Sequence, residues 1–514
     1  MSDPIVETTA GKVRGSTVEG VHSFKGIPYG ADTSGANRFK PPRKPAPWQG
    51  VRDAVEVGPA CYQPARANFE LGVSMSEDCL VLNVWTRGLG DGGKRPVMVW
   101  LHGGGFHTGS AFSSSAGRAS TDGSSLCKRG DAVVVSINHR LGTLGYLHLD
   151  DLAGSEFAGS GNAGMLDLIA ALEWVRDNIE AFGGDPSCVT IFGQSGGGGK
   201  VSYLLAMPKA QGLFHRAIIM SGPRLRSVTR DEANDLAREL LDELGLRPDQ
   251  IAELQALPAE KLVAAQLSMS KKKGELVEGR GGFVPVVDGD VLPAQPFDPV
   301  APPTSAAIPL MIGSTKDEMT SILRNNPHYP GMDEAQMRDA LVAGLADRPD
   351  RIEPPDEAQR EHLIATYKSL RPQATPDDLA VGIWSDALHI ASTRLVERKQ
   401  ALGGDAPVYM YYFAWESPAE GGKLKAIHAL DVPFAFDNVA EPRPLIDRPD
   451  RHDVAARYSS AWLAFARNAN PAHEGLPAWP AYRDGQRAVM VFDSECRLEP
   501  DFMAAERAAW EGIG

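Results

Sequence analysis

Apolar residues follow two rhythms along this chain, short dense runs and longer stretches with a helical period, and the two alternate. Ile5–Thr8 and Lys12–Val18 are extended runs broken by glycines and read as a small antiparallel meander, followed by Phe24-Lys25-Gly26-Ile27-Pro28-Tyr29. Pro41–Trp48 is too rich in proline for a helix or an inner strand and reads as a surface loop. Leu80–Trp85 predicts a strand. Pro96–Leu101 and Ala132–Asn138 predict two more, nearly all apolar, as expected of strands covered on both faces. From Gly164 to Phe182 the rhythm changes. Met165, Leu168, Ile169, Leu172, Val175 and Ile179 recur on one helical face, and Gly183-Gly184-Asp185-Pro186 stops the helix. Val189, Ile191 and Phe192 then end another buried strand, a helix through Val201–Leu205 comes next, and Ala217–Met220 is a strand again.

The second half repeats the alternation with longer helical passages. Residues 229–270 read as helical, Lys271-Lys272-Lys273-Gly274 as a solvated basic loop, and Pro285–Asp290 as a turn. Ile308–Gly313 is a strand that ends at Ser314-Thr315-Lys316-Asp317-Glu318. Residues 333–402 carry several helices split by Pro354-Pro355, Pro372 and Pro376. Val408–Phe413 is a strand with His428 shortly beyond it, Val454–Ala469 an amphipathic helix, and Ala488–Phe492 a last strand. Core strands at both ends, without a repeat or a linker, predict one α/β domain over residues 1–514. Its sheet would be mostly parallel, joined by right-handed crossovers, with helices on both faces. Helical excursions at about 229–300 and 325–400 could roof a site.

Composition narrows the function classes. The 514 residues carry a formal net charge of −14, which disfavours nucleic acid and an anionic membrane surface as partners. No apolar stretch is long enough to cross a bilayer. The start, Met1–Glu7, has neither a basic region nor an apolar core, so no signal peptide is expected. Cys61, Cys79, Cys127, Cys188 and Cys496 are odd in number and sparse, which points to a reducing, cytoplasmic setting.

Candidate chemistry sits where strands end. Gly193-Gln194-Ser195-Gly196-Gly197 fits Gly-x-Ser-x-Gly, with a strand before it and a helix after it, the context of a nucleophile elbow. Side chains at 193 and 197 would clash in so tight a turn, and glycine removes them. A glycine-rich loop with an incidental serine is the plainer reading. A phosphate-cradling loop would need a hydroxyl residue after its lysine, and Lys200 is followed by Val201. His102-Gly103-Gly104-Gly105-Phe106 comes directly after a buried strand, where three glycines let backbone N–H groups face a ligand; a flexible hairpin tip is the alternative.

Taken in order, these segments resemble the type B carboxylesterases on the α/β-hydrolase fold. The resemblance rests on Phe24–Tyr29, Ser76–Val84, His102–Phe106, Asn138–Gly142, Asn178–Pro186 with the elbow, Gly313–Glu318 and His428–Phe434. Bacterial p-nitrobenzyl-esterase-like members are the ones the chain resembles most, since they too lack a signal peptide and have a similar length. The resemblance implies that Ser195 is the nucleophile, Glu318 the acid and His428 the general base. It also implies that the N–H groups of Gly104, Gly105 and Gly196 form the oxyanion hole. The order serine, acid, histidine agrees with the fold's motif set. Asp317 is the rival acid, and His102, His139 and His389 are rival histidines.

The implied reaction is hydrolysis of a small-molecule ester by a monomer or small homo-oligomer, with no metal or organic cofactor. A carbamate or amide hydrolase with the same triad is the alternative, and a non-catalytic interaction homologue the more distant one. Gln194 stands where the family usually has glutamate, and Gly196 where it has alanine. The short loop between Cys61 and Cys79 lacks the cholinesterase tryptophan and the lid of fungal lipases, which disfavours both activities. Cys61 and Cys79 match a family disulfide, but the compartment argument favours free thiols.

Overall fold

The computed structural model describes residues 3–65, 71–112, 114–115, 118–276, 281–346, 353–441, 443–483 and 485–513. The chain divides into two compact units, Met1–Ile218 with Ser227–Pro296, and Ile219–Arg226 with Phe297–Gly514.

The dense apolar runs of the first unit become strands. Its sheet orders them Gly184–Gln194, Arg95–Leu101, Val133–Ile137, Val81–Thr86, Val21–Pro28, Ser16–Val18. The first three run parallel and the others are antiparallel. Every residue from Pro96 to Leu101 is buried, as the near-absence of polar residues there requires. Ile5–Thr8, Gly11–Arg14 and Val51–Asp53 form a small separate sheet, antiparallel in its first pair and parallel in its second.

The helix Ala163–Asn178 buries the expected face of Met165, Leu168, Ile169, Leu172 and Val175. It also buries Asp167, which is 0 % exposed and holds Arg140, 2 % exposed, in a paired arrangement. Arg140 Nε donates to Asp167 Oδ2 at 2.9 Å and its Nη2 to Oδ1 at 2.6 Å, while the Arg140 backbone N–H reaches Oδ2 at 3.0 Å. The remaining Nη1 donates to the Lys40 carbonyl at 2.7 Å. These bonds tie the segment after strand Val133–Ile137 to the helix that leads to Ser195.

Two expectations for this unit are corrected. Lys271 and Lys272 belong to the helix Ala259–Lys272, not to a loop. Cations suit the last turn of a helix, where the carbonyl ends gather negative charge. Lys272 pairs with Glu243, and Lys273 with Glu239 at 2.7 Å. Gly274, at φ +64°, comes just past the helix end. Within Pro285–Asp290, Val286–Val287 forms a two-residue strand parallel to Val228–Thr229.

In the second unit Leu310–Thr315, Val408–Phe413 and Val489–Phe492 pair in parallel, with Arg497–Glu499 antiparallel on the last. Pro376 does not interrupt a helix but occupies the first turn of one, Pro376–Ala401, capped by Thr375 and Asp378. That helix packs Leu379, Ile383 and Trp384 with Met337, Leu341 and Leu363 of its neighbours in one apolar cluster. No helix among the described residues is long and apolar enough to cross a membrane.

The Arg140–Asp167 pair yields a stability prediction. Asp167→Ala leaves a guanidinium buried without its carboxylate and is expected to cost about 3–5 kcal/mol. Urea unfolding of both proteins measures it, and a loss under about 1 kcal/mol would contradict the assignment.

Candidate active site

Strand Arg95–Leu101 is where the chain changes direction across the first unit's sheet. Val133–Ile137 comes next on one side and Gly184–Gln194 later on the other. Open α/β sheets bind ligands outside the carboxyl ends of strands at such a point. The parallel register sets Phe192 beside Trp100 and Gly193 beside Leu101, so both strands end together. One continues into Ser195 and the other into Gly103–Gly105.

Ser195 takes φ 59° and ψ −122°, a conformation that a residue with a side chain adopts only under constraint, and the helix Gly196–Ala206 begins immediately after it. The constraint is crowding. A Cβ on Gly193 would lie 2.5 Å from the Gly197 carbonyl carbon, and one on Gly197 would lie 2.0 Å from the Leu101 oxygen. A Cβ on Gly196 would lie 2.1 Å from the Gly105 oxygen. The alanine usual at that position in the family pattern therefore has no room here, because the neighbouring loop occupies its place.

That loop is held by its carbonyls. Lys200 Nζ donates to the His102 oxygen at 2.8 Å, His102 Nδ1 to the Gly103 oxygen at 2.8 Å, and the Thr108 N–H to the Gly104 oxygen at 3.1 Å. Gly104 and Gly105 have φ of +87° and +67°. Their N–H groups make no hydrogen bond among the described residues. Gln63 clamps the loop's far end, donating to the Gly109 carbonyl at 2.9 Å and accepting the Gly109 N–H at 2.7 Å.

In the second unit the structure brings Glu318 and His428 together. Strand Leu310–Thr315 runs into Lys316–Glu318, and Asp317 bridges to Ile427 beside it. Glu318 is wholly buried. Its Oε1 accepts the Thr315 N–H at 2.7 Å, and its Oε2 accepts the Nδ1–H of His428. A proton fixed on Nδ1 leaves Nε2 as the basic nitrogen of a neutral imidazole. Asp317, the rival acid, instead accepts the Ala426 N–H at 3.1 Å.

Behind His428 lies Asp431, fully buried. Its Oδ2 accepts the Tyr458 hydroxyl at 2.9 Å and the Tyr411 hydroxyl at 3.5 Å, while Oδ1 has no partner among the described residues. Burial first, and then the nearby Glu318 charge, push its carboxyl up to about 7.

The rival histidines occupy other settings. His102 and His139 are buried and stacked with ring centroids 4.8 Å apart, and each Nδ1 donates to a backbone carbonyl at 2.8 Å. Burial, and then the Lys200 charge, drive both well below the usual histidine range. His389 lies edge-on to Tyr412 and Phe502, and burial lowers it to about 3. Lys200 and Gln63 are the contributors that motif reading passes over. Lys200 lies four residues after Gly196, on the same helical face, and that spacing was the available signal. Gln63 carried none.

Cys61 and Cys79 are free thiols, and Cys61 Sγ accepts the Leu141 N–H at 3.3 Å. Residues 66–70 of the loop between them lie outside the described residues. No cluster of three or more His, Cys, Asp or Glu side chains among the described residues could hold a metal ion.

Comparison with known proteins adds a lineage to this geometry. The model of the carboxylesterase family matches residues 2–510. Para-nitrobenzyl esterase of Bacillus subtilis is 36 % identical over 511 residues, covering 98 % of this chain and 97 % of that protein. Phenmedipham hydrolase of Pseudarthrobacter oxydans is 34 % identical over 507 residues, covering 96 % and 95 %. Among solved structures, a Geobacillus stearothermophilus carboxylesterase at pH 6.2 is similar with a TM-score of 0.85 at 38 % identity, covering 99 % of this chain and 100 % of that one.

Asp431 makes the local electrostatics measurable. Its carboxyl rises from the ordinary 3.8 to about 7 on folding, so between those values the folded state holds a proton that the unfolded chain has lost. Stability therefore falls as pH rises through that window. Asp431→Asn keeps an oxygen for the tyrosine hydroxyls and removes the titration. The drop in urea midpoint from about pH 5 to about pH 8 is expected to be smaller in the variant than in the wild type. An equal or larger drop would contradict the assignment.

Proposed function

The chain belongs to the carboxylesterase family, is built on the α/β-hydrolase fold and is a carboxylic ester hydrolase, and on that premise we propose that it works by acyl transfer through Ser195, with His428 as general base and Glu318 as its acid partner. His428 Nε2 takes the proton from Ser195 Oγ as that oxygen attacks the ester carbonyl. The N–H groups of Gly104, Gly105 and Gly196 hold the developing oxyanion, the last of them at a helix N-terminus whose dipole favours negative charge. His428 then protonates the leaving alcohol, and water repeats the sequence on the acyl-enzyme. Glu318 keeps the Nδ1 proton in place and stabilises the imidazolium. The steps call for no metal and no organic cofactor.

The observation that carries this reading is the left-handed backbone of Ser195 at the end of a parallel strand, beside a glycine loop whose Gly104 and Gly105 N–H groups make no hydrogen bond among the described residues. The free cysteines support a reducing, cytoplasmic setting. The substrate is a small-molecule ester, and the working form is a monomer or small homo-oligomer.

Ser195→Ala is expected to lower turnover of p-nitrophenyl butyrate by about 10⁵- to 10⁶-fold and to abolish fluorophosphonate labelling. Near-normal turnover would end the proposal. Gly196→Ala pushes a methyl into the Gly105 backbone. Its kcat is expected to fall by roughly 10- to 100-fold with little change in KM, approaching the loss of one oxyanion donor. An unchanged kcat in the folded variant would place the oxyanion donors elsewhere.

A further inference from the structure

Lys200 is an unusual residue for its position. It sits in the second turn of the helix Gly196–Ala206 and is 0 % exposed. Two general costs oppose it there. Burying an ammonium removes its hydration, and the N-terminal end of a helix already carries partial positive charge. The preceding sequence makes the placement feasible. Gly196–Gly199 leave the first turn bare of side chains, and helical side chains lean toward the N-terminus. The lysine stem therefore returns toward the loop after strand Arg95–Leu101. Its Nζ donates to the His102 carbonyl at 2.8 Å and lies 5.5 Å from the centroid of the Phe106 ring. Those two contacts bracket Gly103–Gly105.

We propose that Lys200 is a positioning residue for the oxyanion hole: its ammonium fixes the first carbonyl of the loop and places a positive charge beside the loop that carries the N–H groups of Gly104 and Gly105. This rests on the assignment of Ser195 and those glycines made above. The His102, Gly103 and Gly104 carbonyls are each tied back in succession, by Lys200, by the His102 ring and by the Thr108 N–H. Each trans peptide points its N–H away from its C=O, so the turned-back Gly103 and Gly104 oxygens aim the N–H groups at 104 and 105 the opposite way, and the Lys200 bond anchors the His102–Gly103 peptide immediately before them. The charge adds to the same end. In a water-excluded setting a fixed cation stabilises an oxyanion that forms only during the reaction, so its effect falls on the transition state more than on the bound ester. The stacked His102 and His139 imidazoles remain neutral beside it, which leaves the lysine as the cation of that cluster.

The test is Lys200→Met, which keeps length and apolar bulk without charge or donor, with Lys200→Gln as a partner that keeps a donor without charge. Both are checked for folding by near-ultraviolet circular dichroism and gel filtration, then assayed on p-nitrophenyl butyrate. For Lys200→Met, kcat is expected to fall by about 10- to 100-fold with KM within about twofold. Inhibition by an alkyl trifluoromethyl ketone, whose adduct carries the oxyanion, is expected to weaken by the same factor as kcat/KM. Lys200→Gln is expected to recover part of the loss. A folded Lys200→Met with unchanged kcat, or one whose loss lies wholly in KM, overturns the proposal. Failure of both variants to fold also overturns it, by making the lysine a folding residue only. Fluorophosphonate labelling in Lys200→Met, set against Ser195→Ala, separates the two readings. If Ser195→Ala is inactive and Lys200→Met is not, only the lysine's role falls; if Ser195→Ala is active, the nucleophile assignment falls as well.

Discussion

The candidate site of the first unit depends on one register. Gly193 lies opposite Leu101 in a parallel pairing, so two strands that are distant in sequence leave the sheet side by side. The segments that continue from their ends must then share very little space. The helix after Ser195 starts almost on top of the Leu101 carbonyl, which forces the serine into its left-handed conformation and excludes a side chain at 193 and 197. A slip of one residue would reverse the faces of the whole strand and bury a different set of side chains. Core packing and site geometry are thus set by the same hydrogen bonds.

The second unit shows how little burial alone says about a carboxylate's role. Asp317, Glu318, Asp386 and Asp431 are all buried. Asp386 takes the Tyr367 hydroxyl at 2.8 Å, and Asp431 takes that of Tyr458 at 2.9 Å. Burial pushes both up to about 7, where a carboxyl group is no longer reliably an anion at neutral pH. Glu318 differs in its partners: one oxygen accepts a backbone N–H and the other an imidazole N–H. Sequence position could name Asp317 and Glu318 as rivals. The direction in which each side chain leaves the strand end distinguishes them.

The fold was legible where the physics is periodic. Buried parallel strands read as unbroken apolar runs, and Pro96–Leu101 and Val408–Phe413 appear within a residue of where they read. The reading went astray where a local rule has two outcomes. Proline at 376 can break a helix before it and can equally begin one after it, and the cap at Thr375 decides for the second. Three lysines in a row suggest a solvated loop, yet they also suit a helix C-terminus, and Glu239 and Glu243 on another helix receive two of them. Of the site, the glycine motifs were legible because glycine marks backbone crowding. Lys200 left only its helical spacing from Gly196 as a signal, since lysine in a sequence argues for exposure and the packed structure shows this one buried.

Gln194, Gly196 and Lys200 form a single arrangement when considered together. Gly196 lets the Gly105 backbone approach the elbow to a distance no methyl would allow, and the bare glycine turn leaves a path for the lysine stem. A carboxylate at 194, the usual family residue, would stand next to Ser195 with its charge opposed to any oxyanion formed there. A glutamine keeps the polar side chain and removes that charge. In the proposed roles, the helix end and Lys200 act in the same direction on the glycine loop, toward stabilising negative charge.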